Sequence, residues 1–99
     1  MWLGSVGSQS VSNQTDIAIG GAGKPIRVFS AHVLSGGTAA TVSLRNGTSA
    51  SATVFVQIDG VISKGATLTF PEGLLFPAGC FADVDANTVD LTVAFVLEA

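Results

Sequence analysis

Short runs in which apolar and polar residues alternate recur along this chain, and turn-forming residues separate them. The clearest runs are Ile26–Leu34, Ala40–Arg45, Ala52–Asp59 and Val89–Leu97. Gly, Ser, Asn and Asp lie between them, and Asn46-Gly47 is typical of a tight hairpin turn. An alternation of period two places successive side chains on opposite faces of a strand, and no stretch has the 3.6-residue period of a helix. The pattern therefore predicts an all-β fold.

Weaker strand signals fill the spaces between the clear runs. They lie at Asp16–Ile19, Ala66–Phe70, Leu74–Phe76 and Cys80–Val84, and Pro71 is expected to interrupt pairing because proline donates no backbone hydrogen bond. About eight short antiparallel strands at a spacing of roughly 8–12 residues are typical of a β-sandwich. We predict a two-sheet, jelly-roll-like sandwich, with Val89–Leu97 as a central strand.

The phase of the alternation also predicts which side chains form the core. In Ile26–Leu34 it places His32 on the same face as Ile26 and Val28. Applied to every run, it predicts that ten apolar side chains are mainly buried: Val28, Val42, Leu44, Val54, Val56, Leu68, Phe81, Leu91, Val93 and Phe95.

Residues 1–13 differ in composition from the rest. They are rich in Gly and Ser, and they predict an extended N-terminal arm that is ordered on docking, followed by one β-sandwich domain over residues 14–99. The only Trp of the chain, Trp2, either covers the base of the core or, with Leu3, anchors the arm in a partner. The arm lacks the basic and apolar regions of a signal peptide, so we expect synthesis in the cytoplasm.

The chain has few side chains of the types that act in catalysis or in binding charged ligands. His32 and Cys80 are the only His and Cys, and neither has an adjacent partner that would make it a base or a nucleophile. Only 11% of residues are charged, the net charge is −3, and the four basic residues are scattered. Nucleic-acid binding requires clustered basic residues, and a membrane helix requires a long apolar run. We therefore expect neither an enzyme nor a nucleic-acid or membrane protein, and no cofactor.

Two short segments resemble ligand-binding loops in part. Asp83, Asp85 and Asn87 have the spacing that begins a calcium loop, but Thr88 stands where that loop has glycine, and a turn explains the same residues. Whether these three side chains hold a cation stays open at this point. The glycines of 20–24 imitate a phosphate loop, but the spacing is short and Pro25 replaces the required Ser or Thr. A connector between strands is the preferred interpretation.

The second half of the chain resembles a known class of proteins. Leu44–Gly47 and Gly73–Asp85, together with the turn at Ser35–Gly37, are similar to small virion proteins of tailed bacteriophages. The resemblance implies a β-sandwich decoration (cement) protein that binds and stabilises the major capsid lattice on the virion surface. It also implies a homo-oligomer, with a trimer as the expected state. It carries over no individual binding residues.

Two alternatives stay open. The chain could be a tail, neck or fibre component of the same particle, since composition does not separate these positions. A carbohydrate-binding sandwich is the weaker alternative, because such sites present exposed aromatic rings and this chain has no Tyr and one Trp.

Overall fold

A computed structural model gives the fold of the chain. It describes residues 7–12, 16–38, 40–60, 65–85 and 88–98. These contain no helix and eight strands: β1 (Gly7–Ser12), β2 (Ile17–Ile19), β3 (Ile26–Ser35), β4 (Ala40–Asn46), β5 (Thr53–Gly60), β6 (Gly65–Phe76), β7 (Cys80–Val84) and β8 (Thr88–Leu97). The predicted all-β class is confirmed.

The strands form two antiparallel sheets that pack face to face. The first sheet has the order β1-β8-β3-β6, and the second has the order β2-β7-β4-β5. The pairs β1–β8, β2–β7, β3–β6 and β4–β5 are nested, as in one long hairpin that has been rolled up. This is the topology of a jelly roll. Strand β8 lies between β1 and β3, so its predicted central position is also confirmed.

The strands begin earlier in the chain than the sequence pattern indicates. Residues 7–12 of the predicted arm form β1, which pairs with β8 from Gly7 opposite Phe95 to Ser12 opposite Asp90. Only one apolar residue, Val11, occurs in this segment, so hydrophobic alternation gave no signal there. The segment forms a strand because it pairs with β8, which its own core residues hold in place. Trp2 and Leu3 lie outside the described residues.

The core lies between the two sheets and is built from aliphatic side chains. Phe76 is the largest buried side chain among the residues that the structure describes. Five of the ten predicted core residues are fully buried: Val28, Val42, Leu44, Leu91 and Val93. Val56 and Phe95 are partly buried and pack against this core. Val54 and Leu68 are exposed, so those two predictions are wrong. Phe81 is partly buried, but it lies on the outer face of its sheet rather than in the core.

Two β-bulges explain part of this disagreement. In β5, Val56 pairs with Leu44 and Val54 pairs with Arg45, so Phe55 is an extra residue and Val54 moves to the outer face. In β3, Phe29 is the extra residue. One inserted residue reverses the phase of a strand, because its side chains alternate with period two.

The bulge in β3 also moves His32. After Phe29 the buried residues are Ala31, Val33 and Ser35, and His32 points outward with Leu34. The prediction that His32 shares a face with Ile26 and Val28 is therefore wrong.

Pro71 does not end its strand. It lies within β6, opposite the bulge of β3, where residues 70–73 have no partner in the register. Strand β6 is at the edge of its sheet, so a missing N–H donor breaks no ladder on the outer side.

Candidate functional site

The most distinctive surface of the described chain is one side of the sandwich, where β5 and β6 end the two sheets. Each of these strands has a neighbour on one side only. Val54 and Phe55 are each 42% exposed, and Leu68 is 37% exposed. We refer to the free edges of β5 and β6, with Val54, Phe55 and Leu68, as the open side.

Two phenylalanines connect the sheets behind the open side. The ring centroids of Phe55 and Phe76 are 5.2 Å apart, with the ring planes tilted by 35°. Phe76 is completely buried, whereas a large part of the Phe55 ring faces solvent. Large rings at such separations attract each other beyond the effect of area burial. Phe55 is therefore at once a cover for the core and an apolar group available to a partner.

Leu68 reaches the open side for a different reason. It pairs with the fully buried Ala31, so its side chain points toward the space between the sheets. Strand β6 is the last strand of its sheet, and Leu68 is exposed where the sandwich ends. The alternation of residues 66–70 correctly predicted the inward direction but not the edge position, which depends on the topology.

Polar side chains on the outer face of the second sheet bind one another. Two guanidinium nitrogens of Arg45 contact Asp83 Oδ2, at 3.1 Å from Nε and 3.0 Å from the second terminal nitrogen. Arg45 also donates to the Ala52 carbonyl oxygen at 2.8 Å. Thr41 Oγ1 donates to Asp59 Oδ1 at 3.1 Å. These contacts hold neighbouring strands and turns together.

The residues that imitate a calcium loop are separated by their hydrogen bonds. Asp83 binds Arg45, whereas Asp85 Oδ2 accepts the backbone N–H of Thr41 at 2.9 Å. Asn87 lies outside the described residues. Among the residues that the structure describes, no group of three His, Cys, Asp or Glu side chains is arranged to hold a metal ion. Asp83 and Asp85 therefore serve as structural acceptors in this fold.

His32 and Cys80 occupy unrelated parts of the sandwich. His32 is exposed on the outer face of the first sheet, with Nδ1 2.6 Å from Thr67 Oγ1. Cys80 is buried in the core, and its burial raises the pKa of the thiol to about 12. A neutral thiol is a poor nucleophile. Neither residue contributes to a catalytic group in the described structure.

The segment that imitates a phosphate loop is the connection between β2 and β3. Gly20, Gly21 and Gly23 have φ angles of 73°, 111° and 72°, which glycine adopts without steric cost. The next element is a strand rather than the helix that a phosphate loop requires.

No helix in the described part of the chain could cross a membrane. No protein-family model matches the sequence, and no curated protein matches it significantly. A solved structure of Bacillus endospore appendages, described as a novel family of disulfide-linked pili, has a similar fold. Its TM-score is 0.51 at 12% identity, over 96% of this chain and 90% of that one. At this identity the similarity establishes a common β-sandwich architecture.

Proposed function

We propose that this chain is a structural protein that acts by packing against other protein subunits, and more specifically that it is a capsid decoration protein of a tailed bacteriophage. The observation that carries the structural role is the open side. In the described part of the chain no strand lies beyond β5 or β6 on this side, where Val54, Phe55 and Leu68 are exposed. Free edges flanked by apolar side chains are templates for binding another protein.

The chemistry of the described side chains supports a structural role over a catalytic one. His32 and Cys80 lie apart, and the carboxylates of Asp83 and Asp85 are engaged in hydrogen bonds within the fold. The similarity in fold to a pilus subunit agrees with assembly as the purpose of such a sandwich. The disulfide linkage of those pili does not carry over to Cys80, because this thiol is buried in the core.

The finer assignment to the capsid rests on the sequence resemblance of residues 44–47 and 73–85 to phage virion proteins. In this role the chain binds the major capsid protein on the outside of the shell. A repeated lattice strengthens such binding, since oligomeric subunits bind with increased avidity.

Binding to purified particles tests this proposal. Undecorated capsids and separated tails are incubated with the protein, and the bound copies are counted after sedimentation. We expect saturable binding to capsids. Binding to tails alone would favour the alternative of a tail, neck or fibre component, and binding to neither would refute a virion role.

Two variants locate the binding surface. Phe55→Asp places a charge on the open side, whereas Leu97→Asp changes a side chain that is similarly exposed, at 44%, on another strand. Reduced binding of Phe55→Asp alone would show that particle binding depends on the open side, either through a direct contact or through pairing of two copies. Deletion of residues 1–6 removes Trp2 and Leu3 but keeps β1, so reduced occupancy of this variant would identify the predicted arm as an anchor.

A further inference from the structure

We infer that a second copy of this chain pairs with the free edge of β6, through an antiparallel contact centred on Leu68. The inference deepens the structural role proposed above, because it names the partner of the open side. The segment concerned is Ala66–Phe70. In the described part of the chain no strand lies beyond it, and Thr67, Leu68 and Thr69 are all exposed.

The sequence of this segment is complementary to itself. Read in either direction, Ala66–Phe70 has apolar residues at its ends, threonines next to them and leucine at its centre. A twofold axis at Leu68 places this leucine opposite its own copy. Thr67 is then opposite Thr69, and Ala66 is opposite Phe70. Thr–Thr and apolar pairs across two strands are stabilising, and a twofold contact requires such self-complementarity.

The faces of the strand agree with this register. Leu68 points toward the space between the sheets, and Thr67 points outward, where its hydroxyl contacts His32. Directly opposed residues of antiparallel strands lie on the same face of a sheet. The two Leu68 side chains therefore meet on the inner face, where each is now exposed, and the threonines meet on the outer face.

The geometry of the sandwich allows both layers to continue across the contact. The twofold axis of an antiparallel strand pair is perpendicular to the sheet, so the first sheets of the two copies join and the edges of β5 approach each other in the second layer. Phe55 and Val54 lie on that edge, toward the end of β6 that contains Phe76 and outside the paired segment.

The area and charge of the open side suit a stable pair. The molecule measures 40 × 26 × 18 Å, and a side bounded by its longest and shortest dimensions has an area of roughly 700 Å². Contact along the whole of two such sides would bury at most about 1,400 Å², which is within the range of specific protein interfaces. Strand β6 carries one charge, Glu72, which lies outside the Ala66–Phe70 segment that forms the contact.

Sedimentation velocity of the purified full chain tests the contact. We expect a dimer. Leu68→Asp places two like charges at the axis and should raise the dimer dissociation constant at least roughly tenfold. Leu34→Asp is the matched control, because Leu34 has the same 37% exposure but lies on the outer face of the neighbouring strand β3. It should leave the dimer intact.

Crosslinking tests the register independently of stability. In a Cys80→Ala background, Leu68→Cys should crosslink efficiently with a short bismaleimide, because the two thiols face each other across the axis. Leu34→Cys should not, since the register separates its two copies by about 25 Å. A monomeric wild-type chain, a trimer unaffected by Leu68→Asp, or equal crosslinking of both cysteine variants would overturn the inference.

These results are separable from the particle experiment. A monomer that still decorates capsids would refute the pairing but not the structural role. A dimer that binds no particle would leave the pairing intact and refute the virion assignment.

Discussion

Replacement of Phe76 by alanine is the change that most directly tests how the open side is built. Phe76 is the largest fully buried side chain in the described part of the chain, and it is in contact with the partly exposed ring of Phe55. Truncation of a buried phenylalanine costs about 3–5 kcal/mol in lost transfer free energy and cavity formation. We expect Phe76→Ala to lower the free energy of unfolding by this amount.

The partner ring provides the internal comparison. Phe55 is 42% exposed, so much of its ring is hydrated in the folded state and Phe55→Ala should cost no more than about 1.5 kcal/mol. Comparison of the double variant with the two single variants isolates the free energy of the contact between the rings, because the double variant removes both rings. Aromatic pairs at this distance contribute about 0.5–1.5 kcal/mol, so the double variant should be less destabilised than the sum of the single variants by that amount.

Urea unfolding followed by far-ultraviolet circular dichroism measures these differences. All variants should carry Leu68→Asp as well, so that dissociation of a dimer does not add to the measured stability. If Phe76→Ala does not fold, Phe76→Leu retains part of the side-chain volume and the same cycle can be measured. Equal losses for the two single alanine variants, or no coupling between the two rings, would refute the proposed closure of the core by Phe55.

Three further predictions concern other parts of the fold. Burial raises the pKa of the Cys80 thiol to about 12. Between pH 9 and pH 12 the unfolded chain therefore loses the thiol proton while the folded chain keeps it. The free energy of unfolding should fall over this range by up to about 1.4 kcal/mol per pH unit. Chemical unfolding at several pH values should show a flatter dependence for Cys80→Ala. Gly73→Ala should destabilise by about 1–3 kcal/mol, because φ is +81° there and a Cβ atom would come within 2.4 Å of a neighbouring side chain. Gly37→Ala, which meets no atom within 4 Å, should change thermal stability by less than about 0.5 kcal/mol. Deletion of residues 1–12 should lower the melting temperature, because it removes β1 from its pairing with β8.

Alternation in the sequence predicted the fold class because strands with two distinct faces require it. It also predicted five of the fully buried core residues, among them Val28, Val42 and Leu91. It failed where one residue was inserted. The bulges at Phe29 and Phe55 reverse the phase of their strands, and no residue type at either position indicates a bulge.

The open side could not be predicted from the sequence, because it depends on which strands lie at the edges. The Leu68 side chain points inward as its alternation indicates, and it is exposed because no strand lies beyond β6 in the described structure. The same edge position accommodates Pro71, which the sequence alone suggests is a strand breaker. Both facts follow from nested pairing that joins residues far apart in the chain, and local patterns do not contain this information.

The distribution of the few charges connects the sequence to the proposed assembly. The chain has four basic residues, and two of them are engaged in ion pairs within the fold, Arg27 with Glu98 and Arg45 with Asp83. Strands β5 and β6 contain no lysine or arginine. Proteins that act as monomers commonly protect long edge strands with such charges, because an unprotected edge pairs with other chains. The segment Ala66–Phe70 precedes Pro71, carries no charge and exposes Leu68, and it therefore has the features of an edge that is covered in the working assembly.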